Sequence, residues 1–571
     1  MHRQCLGVIT GGTFNDGLIV RLDEATSSED VQIGDFCVIE GDDNLYFSMI
    51  QDLRLEATDQ RLMAAPPPNL SPFMRRALRG TSTYVVAEVK PMLMVKRLEK
   101  MAPETVEDEG GPQPVRTIPM HFAQLAQASA KDFATVFGQD NRSGNHFAMG
   151  RPLTMEAEIP INLRRLVERS SGVFGSTGTG KSFLTRILLC GVIVRKAAVN
   201  LIFDMHNEYA YGKDSEEGER VKGLKELFGP QVMVYTLDKT NRRADHDLAI
   251  GLDEIETGDV LSLSRELGLS SSTADVNLSM LQRRFHRTWL RDFINLNSEE
   301  LAALSDEIGG HLGSLQALHR RLRRLRDRDY IHEHVTKDVF AEMIRYLDKG
   351  KHIILHFGRH DDVLDQMIVA NMVTRRIREL YREKTEKYQL SGKPGDKPQP
   401  LVITIEEAHR FLNPEMARQT IFGTIARELR KYYVTLLIVD QRPSGIDDEI
   451  LSQVGTRVSG KLMDDRDLEA VLSGVANRAA IRAGLASLDT KQQVMIFGHA
   501  VPMPIALRTR LYDNAFYQAV TNSGHTPKDN ILDLYAPDGK GQQGNPQKSS
   551  KLDGTSHDSF EEEVDLLFGE K

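Results

Sequence analysis

Residues Gly175–Ser182 of this 571-residue chain read GSTGTGKS and fit the spacing GxxxxGK[ST]. The chemistry that spacing suits is phosphate binding. Glycines let successive backbone N–H groups turn inward around phosphate oxygens, and the N-terminus of a following helix adds partial positive charge. Gly175, Thr177, Gly178, Thr179 and Gly180 would form the cradle. Lys181 would supply a point charge for the β- and γ-phosphates, and Ser182 would present its hydroxyl to Mg²⁺. The context favours a nucleotide site over a flexible Gly/Thr loop. A short apolar strand candidate, GVF (172–174), precedes the motif, and SFLTRILLCGVIV after it is apolar nearly all round, as a helix central to an α/β core should be.

Hydrolysing ATP at such a loop needs an acid near Mg²⁺ and a group that orients the attacking water. The run LVITI (401–405) reads as a buried strand with Glu406 and Glu407 at its C-terminal end, where ligands collect in parallel sheets. Glu406 is assigned to the Mg²⁺ shell through water, and Glu407 to polarising the nucleophilic water. A second acidic strand end, NLIFD followed by MHNEY, carries Asp204 and Glu208. Because it directly follows the P-loop helix, its strand is expected beside the P-loop strand. Its acids either join the Mg²⁺ network, or Asp204 or Asn207 caps the next helix. Gln441, just past VTLLIVD, is placed to sense a γ-phosphate by hydrogen bonding. The helix MARQTIFGTIARELRKYY carries Arg427, Arg430 and Lys431. An arginine reaching a neighbouring subunit's γ-phosphate is the usual transition-state stabiliser in ring ATPases. The spacing does not rank Arg427 against Arg430, and a solvated helix face is the alternative.

These groups need a scaffold. From about residue 150 apolar strands alternate with helical stretches: NLIFD, VMVYTL, HIILHF, LVITI, VTLLIV, RVSGKL and QVMIFG. That pattern predicts an α/β fold with a parallel sheet. The expected organisation is a small β-barrel at 1–94, a linker or lid at 95–149, the P-loop half of the core at 150–251, an inserted helical subdomain without strands at 252–349, the second half of the core at 350–515, and a C-terminal brace with a disordered acidic tail at 516–571. The first 94 residues suggest the barrel through short apolar runs punctuated by Gly, Asp and Asn.

Lys plus Arg total 72 and Asp plus Glu 81, a net charge of −9, which excludes a general basic coat for DNA but not local patches. The segment HRRLRRLRDRD (319–329) is one such patch, read as a phosphate grip or as a solvated or subunit-facing surface. Three scattered cysteines, Cys5, Cys37 and Cys190, give neither a disulfide scaffold nor a structural zinc site. No apolar run approaches the ~20 residues that span a bilayer. A cytoplasmic protein with no membrane contact is expected.

The ordered set GSTGTGKS, DMHNEY, ITIEEAHRFLNP, IARELRKY and VDQRPSGIDDEILSQVGTR resembles the HerA family of hexameric DNA-translocating ATPases, within the HerA/FtsK group of RecA-like motors. The resemblance spans most of residues 1–515. It implies a barrel followed by a RecA-like motor with a helical insertion, and roles as above for Lys181, Ser182, Glu406, Glu407 and Gln441. It also implies trans contacts from the Arg427–Arg430 region, double-stranded DNA as partner, a homo-hexamer, and a separate effector, either a nuclease or a sirtuin-like NADase, in DNA-end processing or anti-phage defence. Glu406 departs from the Asp common in P-loop motors. A different class of function, a nucleotide-gated hexameric scaffold that assembles an effector without moving on DNA, shares the same motifs.

Overall fold

The computed structural model describes residues 3–26, 29–58, 71–78, 82–97, 111–141, 144–214, 220–269, 271–419, 421–475 and 478–521. The expected tail, including the FEEEVDLLFGEK end, lies outside them.

The N-terminal part is a closed barrel. Strands β1 (Cys5–Thr13), β2 (Gly17–Leu22), β3 (Phe36–Glu40), β4 (Asn44–Ala57), β5 (Thr83–Lys96) and β7 (Gln124–Gln127) pair in the order β2-β1-β7-β3-β4-β5. A β2–β5 ladder closes the ring, and the two-residue β6 (Gln113–Pro114) lies on β5. Closure removes exposed strand edges. Alternation sends Leu18, Val20, Ile39, Ile50, Val89 and Leu125 into the interior, each at most 2% exposed. Gly7 lets β1 approach β2, since a Cβ there would lie 2.2 Å from the Arg21 carbonyl oxygen. The segment 95–149, expected as a linker or lid, therefore differs: it supplies β7, without which β1 and β3 would not be joined. QLAQ is too short and too polar at its ends to show a strand period. Beneath the barrel, Phe36 and Phe47 meet Phe133 edge-on at 5.4 and 5.3 Å, and this aromatic group runs into the core of the next layer.

That layer is one sheet in the order β15-β14-β18-β11-β19-β20-β10-β21-β22-β23-β8-β9. Its strands are β8 (His146–Pro152), β9 (Ile159–Asn162), β10 (Ser171–Phe174), β11 (Val199–Asp204), β14 (Val232–Thr236), β15 (His246–Asp247), β18 (His352–His356), β19 (Leu401–Glu406), β20 (Val434–Asp440), β21 (Thr456–Ser459), β22 (Gln493–Gly498) and β23 (Ile505–Thr509). From β15 to β21 all pairings are parallel; from β21 to β9 they are antiparallel. Every residue of β10, β11, β19 and β20 is buried. Helices cover both faces, so these strands read as unbroken apolar runs rather than alternating ones. A ribbon of β12 (Lys213–Asp214) and β13 (Arg220–Val221) stands apart from this sheet.

The helical insertion packs Leu278, Leu281, Leu290, Phe293, Leu315 and Leu322 around Trp289, whose indole N–H donates to the Ile255 carbonyl at 3.0 Å. The expectation of no strand here fails at one point. β16 (Ile250–Gly251) pairs in parallel with β17 (Ile331–His332) and pins the two ends of the insertion together. In the arginine-rich helix Leu312–Arg326, Arg321 donates to the Leu267 carbonyl at 2.6 Å and Arg326 to Asn295 at 3.1 Å. Just beyond, Arg328 pairs with Asp362 at 2.6 Å. These three arginines are spent on internal partners, while Arg320, Arg323 and Arg324 face solvent. Among the described residues no helix is long and apolar enough to cross a membrane.

Candidate nucleotide-hydrolysis site

The parallel sheet brings the phosphate loop, Glu406, Glu407 and Gln441 to one edge. The loop after β10 runs Gly175–Gly180 and delivers the chain into the helix Lys181–Val194. Gly178 and Gly180 hold φ of 83° and 84°, the left-handed region where a side chain is strained. At Gly175 a Cβ would lie 2.6 Å from Thr179 Oγ1, which itself donates to the Ser176 carbonyl at 2.7 Å. Ser176 N–H donates to the Lys461 carbonyl at 3.0 Å, tying the loop to the end of β21. Lys181 Nζ donates to the Ser176 carbonyl at 3.0 Å. Burial lowers the Lys181 pKa, and Glu407, Asp440, Glu208 and Glu406 pull it back up, so the ammonium sits under a canopy of acids.

Those acids arrive from other strands. β20 lies between β10 and β19, so Glu406 and Glu407 approach the loop across two strand spacings, about 10 Å. Glu406 is 5% exposed, and its Oε1 accepts from the Tyr209 hydroxyl at 2.8 Å. Its Oε2 is buried with no hydrogen-bond partner among the described residues. Burial first, then Asp204, Glu208 and Glu407 nearby, push its pKa up to about 8, against the Tyr209 hydrogen bond. A crowded carboxylate with an orphaned oxygen is what a hard cation or its bound water would satisfy. With the Ser182 hydroxyl, the donors present are oxygens and fit Mg²⁺.

Glu407 turns away from the strand with φ 45° and ψ 46°, a left-handed conformation that a non-glycine residue rarely takes and that clusters at functional sites. Its Oε2 accepts from Gln441 Nε2 at 3.4 Å. Gln441 Oε1 in turn accepts from the Thr177 hydroxyl at 2.7 Å. A continuous hydrogen-bonded chain thus runs from the phosphate loop through the end of β20 to the acid after β19.

Three residues of this site escaped the sequence reading. Tyr209 positions Glu406. Asp440, the last residue of β20, accepts from His409 N–H at 2.6 Å and from Arg442 N–H at 2.7 Å. His409 Nδ1 stands 3.1 Å from both Asp440 oxygens and 3.6 Å from Glu407. The Asp440 hydrogen bond raises the His409 pKa, which favours the imidazolium beside Glu407. The available signal was local: His409 and Asp440 stand within two residues of Glu407 and Gln441.

Asp204 does not cap a helix, since the next one is Leu224–Phe228 with Gly223 at its N-cap; it closes the turn that follows β11. Its buried carboxylate accepts the backbone N–H groups of Glu208, Tyr209 and Ala210 at 2.6, 3.0 and 3.0 Å. It acts at one remove, by holding Tyr209 under Glu406. The expected adjacency to the P-loop strand does not hold: β11 pairs with β18 and β19, and two strands separate it from β10. A helix crossover sets only that two parallel strands share the sheet, not that they touch.

Arg430 lies in the turn Leu429–Tyr432 ahead of β20, whereas Gln441 follows that strand. Seven residues of strand put them roughly 20 Å apart, at opposite edges of the sheet. Arg430 is exposed there and lines a cavity of about 850 Å³ with Arg169, Lys431 and Arg457. Arg427 is on the helix Ile421–Glu428, with its side chain outside the described residues.

Residues 147–377 match the family model described as Helicase HerA, central domain. That stretch of the chain is similar to the HerA central domain. The chain is 27% identical over 393 residues to the DNA double-strand break repair helicase HerA of Sulfolobus acidocaldarius, covering 68% of this chain and 73% of the relative. A probable helicase of Methanocaldococcus jannaschii is 23% identical over 521 residues, covering 87% of this chain and 90% of the relative. Among solved structures, VirB4 of Thermoanaerobacter pseudethanolicus overlaps loosely, with a TM-score of 0.43 and 11% identity, over 66% of this chain and 100% of that one. The family match takes in the phosphate loop, Tyr209 and the helical insertion.

Proposed function

We propose that this chain is an ATP-driven translocase and helicase of double-stranded DNA that works as a ring of identical subunits, a hexamer, together with a separate effector. The observation that carries the hydrolytic reading is the chain Thr177–Gln441–Glu407, which couples the phosphate loop to an acid held in a left-handed turn. In this reading ATP lies on the loop, with Lys181 at its β- and γ-phosphates. Ser182 and Glu406 would hold Mg²⁺, which when bound would neutralise charge on the phosphates. Glu407 polarises the attacking water, and Gln441 reports the γ-phosphate to Glu407.

The position of Arg430 supports the ring. Arg430 cannot reach its own loop roughly 20 Å away, so a γ-phosphate contact from Arg430 is a contact to a neighbour. The basic cavity it shares with Arg169, Lys431 and Arg457 suits an anionic group arriving from that neighbour. DNA as the track is carried over from the relatives named as helicases. The effector, a nuclease or a sirtuin-like NADase in DNA-end processing or anti-phage defence, is carried over from the HerA resemblance. The test is hydrolysis by the purified chain with and without linear duplex DNA. Stimulation by DNA supports the motor; ATP turnover indifferent to DNA favours the nucleotide-gated scaffold.

A further inference from the structure

Phe183 follows Lys181 and Ser182 at the start of the P-loop helix, yet it is 42% exposed while Leu184, Thr185, Ile187 and Leu188 are buried. An apolar ring left in water beside a phosphate site calls for a reason. One side of it is firmly backed. Tyr512 lies 6.2 Å away, ring centroid to centroid. The Arg186 guanidinium, one turn on along the same helix face, stands 5.5 Å from the Phe183 ring centre and 5.7 Å from that of Tyr512. Arg186 is itself only 4% exposed and donates to the Glu208 carbonyl, next to Tyr209.

Tyr512 belongs to a C-terminal stretch that is pinned along its length. Its hydroxyl donates to the Lys222 carbonyl at 3.0 Å, and the Tyr517 hydroxyl donates to the Tyr512 carbonyl at 3.0 Å. Phe516 and Tyr517 pack against its ring at 5.3 and 5.0 Å. Arg510 N–H donates to the Met149 carbonyl at 2.9 Å. Within this stretch Leu511 faces outward at 54% exposure. The result is a rigid aromatic shelf, with one open ring face, continuous with the phosphate loop.

We propose that Phe183 is the base platform of the nucleotide site: the purine of ATP stacks on its exposed face, and Tyr512 and Arg186 hold the ring in place from behind. This rests on the P-loop reading above and adds which residue meets the base. Phosphates on the N–H groups of residues 178–183 leave the nucleoside to extend past Ser182 toward the exposed face of the helix, where Phe183 stands. Stacking tolerates any base with a π-face and needs no hydrogen-bond partner, so the shelf supplies affinity rather than base selection. It also ties nucleotide binding to the C-terminal stretch, because Tyr512 and Phe183 share one contact.

The test compares a ligand with a base to one without. Calorimetry with the full chain measures ATP and inorganic tripolyphosphate on wild type, Phe183→Ala, Phe183→Trp and Lys181→Ala. Phe183→Ala should weaken ATP about tenfold and leave tripolyphosphate unchanged, while Phe183→Trp should restore ATP affinity. Equal losses for both ligands, or no loss for ATP with an unchanged melting temperature, would overturn the platform. Retained binding of both ligands by Lys181→Ala would instead overturn the P-loop reading, so the two failures are distinguishable.

Discussion

The hydroxyl of Thr177 donates to the amide oxygen of Gln441 at 2.7 Å, across 264 positions of sequence. Gln441 spends its other amide atom on Glu407. One side chain therefore touches both the loop that would hold the γ-phosphate and the acid that would activate water. Gln441→Ala should lower ATP turnover on the order of a hundredfold, as loss of one preorganised polar group does. ATP affinity should stay within a few-fold. Single-turnover hydrolysis beside equilibrium binding checks this; parallel loss of both would mean that Gln441 only shapes the loop.

Glu406 and Glu407 follow one another but differ in environment, and removing them should have different consequences. Glu407→Gln should bind ATP and hardly turn it over. Tyr209→Phe deletes the hydrogen bond that fixes Glu406 without touching nucleotide. It should raise the Mg²⁺ concentration for half-maximal turnover a few-fold and leave the maximal rate largely intact. An unchanged Mg²⁺ titration would remove Glu406 from the cation site.

The position of Arg430 makes a prediction about mixtures. Arg430→Ala and Lys181→Ala chains should each be inactive alone. In mixed rings a Lys181→Ala subunit still offers Arg430 to an Arg430→Ala neighbour with an intact loop, so activity should return. Mixtures that stay inactive at every ratio would remove the trans contact.

Much of this was legible beforehand, and the reason lies in the strands. LVITI and VTLLIVD are apolar throughout because both faces are covered, and a buried parallel strand puts its chemistry at its C-terminal end. Glu406, Glu407 and Gln441 could therefore be placed from position alone. Strand order could not, because a crossover helix leaves free how far the chain travels along the sheet. Hence β11 lies beyond β19 rather than at β10. Tyr209 was invisible as a site residue, since a tyrosine becomes one here only through the turn that Asp204 caps. β7 is hidden for a plainer reason: four residues carry no usable period.

A buried histidine far from the site gives a pH prediction. His352, on β18, is 4% exposed, and its Nδ1 accepts from the Asn200 N–H at 3.1 Å. Burial pushes its pKa down to about 4 from the usual 6.5. Between those values the unfolded chain binds the proton and the folded one does not, so stability falls as pH drops from about 6.5 toward 4. Melting temperature against pH should show that decline in the wild type and a shallower one in His352→Gln. Identical slopes would assign the acid sensitivity to other groups.

Roadblock displacement tests whether this site turns ATP hydrolysis into movement on duplex DNA. Streptavidin is bound to a biotinylated linear duplex, and its release is followed after adding the purified chain and ATP. Streptavidin should be released with ATP, but not with a non-hydrolysable analogue and not by Glu407→Gln. Vigorous ATP hydrolysis by DNA-bound protein that leaves the streptavidin in place at every concentration would contradict such movement.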